Sequence, residues 1–144
     1  FGDERADYAQ ALDRHYEAGP AADWQAAYIS AYASAHPWED WAETWAHYLH
    51  MADALETVAG CGLALVPRRG DEPALDAGRL SGALASGSFD GLVESWFPLT
   101  YLLNNLNRGL GLADAYPFVL SSPVIEKLRF VHETIAALRT PPAG

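Results

Sequence analysis

Cysteine is almost absent: Cys61 stands alone among 144 residues. Disulfide stapling and a cysteine-built zinc site are therefore both excluded within the chain. Positive charge is scarce as well. Nine Lys and Arg face nineteen Asp and Glu, giving a formal charge of −10 and a pI near 4.7. That balance argues against nucleic acid and anionic membrane as partners, since neither would find a basic patch to bind. No apolar run approaches the roughly 18 residues of a membrane span, and no signal peptide is visible, so the expected location is cytoplasmic. Strand-like alternation beyond a few residues, internal repeats and low-complexity tracts are missing too. So are a Gly-rich phosphate loop, a Gly-x-Ser-x-Gly elbow and the Glu-x-x-His repeats of a four-helix di-iron site. His132-Glu133 begins like a zincin motif, but Ala136 stands where the second histidine would fall, and no His-Glu-x-x-His occurs anywhere in the chain.

What is present is half apolar and 12% aromatic, a globular composition long enough to bury a core. The fold class expected is all-α, one helical domain over 1–144, with about five to six helices packed around a long central helix at about 37–60. Residues 3–18 read as a helix ended by Gly19-Pro20, and Ala21 to Ala35 as a second, alanine-rich one. Val66 to Ala77 reads as a loop, with a short helical turn after it around Arg79 to Ala85. Ser88 caps a helix from Phe89 that Pro98 is expected to kink or divide and that Gly109 and Gly111 close. Ser122-Pro123 starts the last helix, ended by Pro141 and Pro142.

The central stretch runs from His36 to His50. Pro37 suits the first helical position, and Glu39 and Asp40 meet the positive end of the helix dipole in the first turn. At about 100° per residue, Glu39, Glu43, Ala46 and His50 fall within roughly 60° of one another, with His36 and His47 flanking them. Trp38, Trp41, Trp45, Tyr48 and Leu49 lie opposite, so Trp41 and Trp45 are expected to turn into the core. Three histidines and three carboxylates in fifteen residues, with no Lys or Arg among them, point to metal or acid–base chemistry. Glu39-x-x-Ala42-Glu43 could supply a carboxylate ligand and a second carboxylate that orients a ligand histidine. The plainer reading is an acidic first turn facing solvent. His47 and His50 could share a metal, although histidines three apart are more often hydrogen-bonding residues.

Three runs, FGDERADYAQAL, SAYASAHPWEDWAETWAHYLHMADALET and YPFVLSSPVIEKLRFVHE, resemble a bacterial family of zinc-binding metallopeptidases. The resemblance covers nearly the whole chain. It implies that a zinc ribbon and a His-Glu-x-Gly-His helix come before the FGDER run, and that this chain is the C-terminal part of a longer protein. A start at Phe1 without Met fits that expectation. By analogy with thermolysin-like enzymes it makes Glu39 the third zinc ligand and Glu43 its partner carboxylate, which accepts the N–H of a ligand histidine. His47 or His50 then becomes the group that hydrogen-bonds substrate or the developing oxyanion.

The cofactor implied is zinc in the full-length protein, held weakly or not at all by this chain alone, which lacks the histidine ligands and the general base and is expected to be inactive by itself. The partners expected are a peptide or protein substrate and the missing segment of the same protein. An open groove beside the Glu39 stripe, or self-association that covers it, should mark where that segment belongs. The alternative is a non-catalytic helical interaction module, for which five Trp and seven Tyr could furnish the interface.

Overall fold

The fold comes from a computed structural model that describes residues 1–116 and 120–139. Among them are five α-helices: α1 Tyr8–Ala18, α2 Pro37–Gly60, α3 Ala77–Ser86, α4 Phe89–Gly109 and α5 Ser122–Arg139. Two single turns of 3-10 helix, Trp24–Ala26 and Tyr32–Ser34, lie between α1 and α2. No strand occurs among the described residues, only an isolated bridge between Leu65 and Leu75. The class is all-α, and α2 is the long helix expected at 37–60. None of the helices is long and apolar enough to cross a membrane.

Contacts divide the chain into two units, Phe1–Leu49 with Leu120–Gly144, and His50–Val119. The first holds α1, the two 3-10 turns, the N-terminal half of α2, and α5. Its interior is built from Ala11, Ile29, Ala33, Tyr48, Leu120, Val124, Leu128 and Val131. α1 starts at Tyr8 rather than near residue 3 because Asp7 caps it, accepting from the Gln10 N–H at 2.9 Å. The alanine-rich helix expected over Ala21 to Ala35 does not form. Ser30 Oγ accepts the Ala33 N–H at 3.0 Å and Ser34 Oγ donates to the Ala31 carbonyl at 2.6 Å. Such local side-chain bonds compete with the helical ladder and leave short turns in its place.

In the second unit α3 packs on α4. The approach is close enough that a Cβ at Gly91 would lie 2.6 Å from the Ala83 Cβ, so only glycine fits there. Met51, Leu55, Leu80, Phe89, Leu92, Trp96 and Leu99 form its core. Ser88 caps α4 as expected, but Pro98 does not divide the helix, which runs unbroken to Gly109. Asn104, fully buried, pins the following loop: its Oδ1 accepts the Ala115 and Tyr116 N–H groups, and its Nδ2 donates to the Tyr116 carbonyl at 2.7 Å. α5 begins at Ser122, with the Ser121 carbonyl accepting the first helical N–H, one residue before the expected cap. The stop assigned to Pro141 and Pro142 lies outside the described residues.

A candidate metal-ligand site at the start of α2

The buried face of α2 differs from the one its tryptophans suggest. Asp40, Thr44, Tyr48, Met51, Leu55 and Val58 are all buried, a stripe at spacings of four and three. Trp38 is 54% exposed and Trp41 40%, while Trp45 is half-buried with its indole N–H unpaired. The expectation that Trp41 and Trp45 enter the core is therefore corrected. They sit about 100° round the helix from the true core line. There Trp41 meets the rings of Phe1 at 5.1 Å, Trp45 at 5.6 Å and Phe130 of α5 at 5.9 Å.

Of the two polar residues on the core line, Asp40 is held there because α5 answers its charge. Lys127 Nζ donates to Asp40 Oδ2 at 2.6 Å and to the Ala27 carbonyl at 2.7 Å, and lies 4.5 Å from the Tyr28 ring centroid. The Asp40 side chain is 1% exposed and that of Lys127 16%. Burial raises the Asp40 carboxyl above its ordinary range, and the hydrogen bond from Lys127 opposes that rise.

His36 organises the entry to α2. Its carbonyl accepts the Asp40 N–H at 3.0 Å and its Nδ1 accepts the Trp38 N–H at 3.1 Å. With Nδ1 an acceptor, the proton sits on Nε2, which donates to the Ala6 carbonyl at 3.0 Å. Both ring nitrogens are engaged and the residue is buried, so His36 is a structural cap rather than a metal donor.

The carboxylate stripe lies on the other flank of the buried line. Glu39 is half-buried, and its Oε1 accepts from the Tyr8 hydroxyl at 2.5 Å. That bond is the main reason the Tyr8 phenol is held above its ordinary value. The Tyr32 phenol is raised too, chiefly by burial and then by the Glu39 charge. One turn on, Glu43 Oε2 accepts from Ser30 Oγ at 2.7 Å and stands 3.8 Å from His47 Nε2. Glu39, Glu43 and His47 thus form one ridge at i, i+4 and i+8, facing α1 and the 3-10 segment. His50 is exposed and belongs to the second unit.

The donor set falls short of what zinc requires. Among the described residues no group of three His, Cys, Asp or Glu could hold a metal ion, whereas a catalytic zinc takes three protein ligands. The described residues do not carry a complete centre. What they offer is a helix carboxylate that accepts a hydrogen bond from a phenol, with a second carboxylate and an imidazole one and two turns on.

This geometry accompanies a clear kinship. Residues 1–134 match the family described as "Putative zinc-binding metallo-peptidase", and the chain belongs to that family. Two of its relatives are the uncharacterized proteins Rv2568c of Mycobacterium tuberculosis and Mb2598c of Mycobacterium bovis, each 49% identical over 135 residues. The match covers 94% of this chain but 37% of each relative, so the chain spans little more than a third of the length of the curated relatives it matches. No solved structure matches it.

Sequence reasoning named Glu39, Glu43 and His47, which the structure places on one ridge of α2, but not their neighbours Tyr8 and Ser30 or the Asp40–Lys127 pair. Lys127 carried a signal, being the only lysine in the sequence. A lone lysine amid nineteen acids, on the helical stripe of Val124, Leu128 and Val131, invites a search for a buried carboxylate.

Proposed function

We propose that this chain is the helical part of a zinc-dependent metallopeptidase and supplies one zinc ligand, Glu39, to a centre whose remaining ligands come from elsewhere in a longer polypeptide. The observation that carries the reading is the fixed Glu39 carboxylate at the head of α2, in a chain of a zinc-binding metallopeptidase family. Zinc, when bound in such a centre, polarises a peptide carbonyl and activates water. The chain's own residues do the rest. Glu43, steadied by Ser30, orients an imidazole, whether its own His47 or a ligand histidine brought by the rest of the protein. His47, half-buried beside Glu43, is the better placed of the two histidines to hydrogen-bond a substrate carbonyl. His50 serves the same end only if substrate reaches the exposed side of α2. The substrate class is a peptide or protein.

The experiment is a peptidase assay of the full-length protein on a mixed peptide pool, with and without a chelator, beside Glu39→Gln. Chelator-sensitive activity lost in Glu39→Gln is the expected result. Chelator-sensitive activity that survives Glu39→Gln would remove Glu39 from the centre.

A second reading rests on the exposed aromatic face of Trp41 and Phe130, 40% and 51% exposed and 5.9 Å apart. As a non-catalytic module the chain would use that face to bind a partner or a second copy. In the metallopeptidase reading the same face is covered by another segment of the same polypeptide. Full-length protein that holds no metal and cleaves no peptide would favour the module.

A further inference from the structure

The helical threonines among the described residues behave alike, with one exception. Thr57, Thr100 and Thr134 each turn the hydroxyl back on the carbonyl four residues earlier, at 2.8, 3.0 and 2.7 Å. That bond is a common resting place for a threonine hydroxyl inside a helix. Thr44 does not make it. Its Oγ is buried and pairs with no protein group among the described residues, and Asp40 Oδ1 is buried and unpaired in the same way. The two orphans are neighbours, because residues four apart lie one above the other on a helix face. Burial lifts the Asp40 carboxyl, and after Lys127 the Thr44 hydroxyl is among the groups that oppose the rise, so it stands on the carboxylate's side. Yet no direct bond between the two reaches hydrogen-bond geometry. The other carboxylate oxygen, Oδ2, already accepts from Lys127 Nζ at 2.6 Å.

We propose that Asp40 and Thr44 hold a resident water molecule, which donates one hydrogen bond to Asp40 Oδ1 and shares a second with Thr44 Oγ. The chemistry of the two atoms selects this occupant. An ionised carboxylate oxygen only accepts, and a hydroxyl donates or accepts, so the bridging group must bring at least one proton. A metal cation brings none and would be repelled by Lys127 Nζ on the same carboxylate. An anion would face the Asp40 charge. A neutral donor and acceptor small enough to lie between groups one helical turn apart is water. Buried waters are found on such sites, bonded to polar groups that the protein leaves without a partner. With water on Oδ1 and Lys127 on Oδ2, both carboxylate oxygens are solvated and the charge is tolerated inside the first unit. Thr44 then has a reason to stand on the buried line of α2, where Met51, Leu55 and Val58 follow it. The water site stands whether or not Glu39 meets a metal.

The test is a crystal structure of the full-length protein at a resolution that orders buried solvent, for wild type, Thr44→Val and Thr44→Ser, with thermal melts of all three. The wild-type map should show one water about 2.6–3.2 Å from both Asp40 Oδ1 and Thr44 Oγ. Thr44→Val keeps the shape of the side chain and deletes the hydroxyl. The water should vanish from its map, and the melting midpoint should fall by about 2–8 °C, the range that follows the loss of one buried hydrogen-bond partner. Thr44→Ser keeps the hydroxyl and should keep the water in place. A wild-type map with Thr44 Oγ bonded straight to Asp40 Oδ1, or to the Asp40 carbonyl, and no water between them would overturn the proposal. So would Asp40 Oδ1 paired with a group from another part of the polypeptide. Thr44→Val melting at or above wild type would overturn it as well, because a methyl in place of a hydroxyl that bonds to nothing relieves a burial cost instead of creating one.

Discussion

Replacing Lys127 with Met keeps the length and apolar stem of the side chain and removes its charge. Asp40, whose side chain is 1% exposed, then loses the ammonium 2.6 Å from its Oδ2, and the Ala27 carbonyl loses its donor. Breaking one side of a buried ion pair costs about 3–5 kcal/mol, because the remaining charge is left without compensation. Against the roughly 5–15 kcal/mol that holds an ordinary domain together, that is a large fraction.

The pH dependence has a definite sign. Burial already places the native Asp40 carboxyl above its unfolded value, so the native state keeps the proton to higher pH than the unfolded chain does. Its stabilising contribution is therefore present below the ordinary carboxylate range and is lost as pH rises through the native value. Without Lys127 that native value climbs further. The deficit of Lys127→Met should accordingly be larger at about pH 7.5 than at about pH 4.5, because protonating Asp40 removes the charge that Lys127 compensates. Native-state hydrogen exchange of the α5 amides reads the local stability at both pH values. Removing both charges together, Asp40→Leu with Lys127→Met, should recover most of the loss. A deficit below about 1 kcal/mol at the higher pH, or one of equal size at both pH values, would refute the reasoning.

Other substitutions separate the true core of α2 from its tryptophan edge. Leu55→Ala, at a position with no exposed surface, should cost about 2–5 kcal/mol in urea unfolding, whereas Trp41→Ala, at a position 40% exposed, should cost under about 2 kcal/mol. The reverse order would restore the view of the tryptophans as core. Asn104→Ala strips three bonds from a buried side chain and orphans backbone groups at Ala115 and Tyr116, a loss of about 2–4 kcal/mol by thermal or urea melt. It should also speed amide exchange of Ala115 and Tyr116, and unchanged exchange there would show the loop is held by other contacts.

The parts of the fold set by local chemistry were legible in the sequence. Pro37 at the head of α2, Ser88 before α4 and the Gly109–Gly111 close of that helix act through neighbours a few residues away, and each reads directly from spacing. The helix expected over Ala21 to Ala35 failed because Ser30 and Ser34 turn their hydroxyls on the backbone, a competition that propensity does not weigh. The face of α2 was misjudged for a related reason. Hydrophobicity puts tryptophan inside and aspartate outside, but a lysine 87 residues away makes Asp40 the inner residue. At the candidate site, Glu39 and Glu43 shared a ridge as their spacing required. Tyr8 and Ser30 could not be read from that ridge, because the contacts join segments 31 and 13 residues apart.

The central claim is that Glu39 is a ligand of a zinc ion whose other ligands lie outside this chain. A crystal structure of the full-length protein, with anomalous scattering recorded at the zinc edge, tests it most directly. The expected result is one zinc with a Glu39 carboxylate oxygen about 2.0–2.2 Å away, the Tyr8 hydroxyl on the other oxygen, and the remaining protein ligands supplied by other parts of the polypeptide. Zinc bound elsewhere, with Glu39 still paired to Tyr8 and facing no metal, would contradict it.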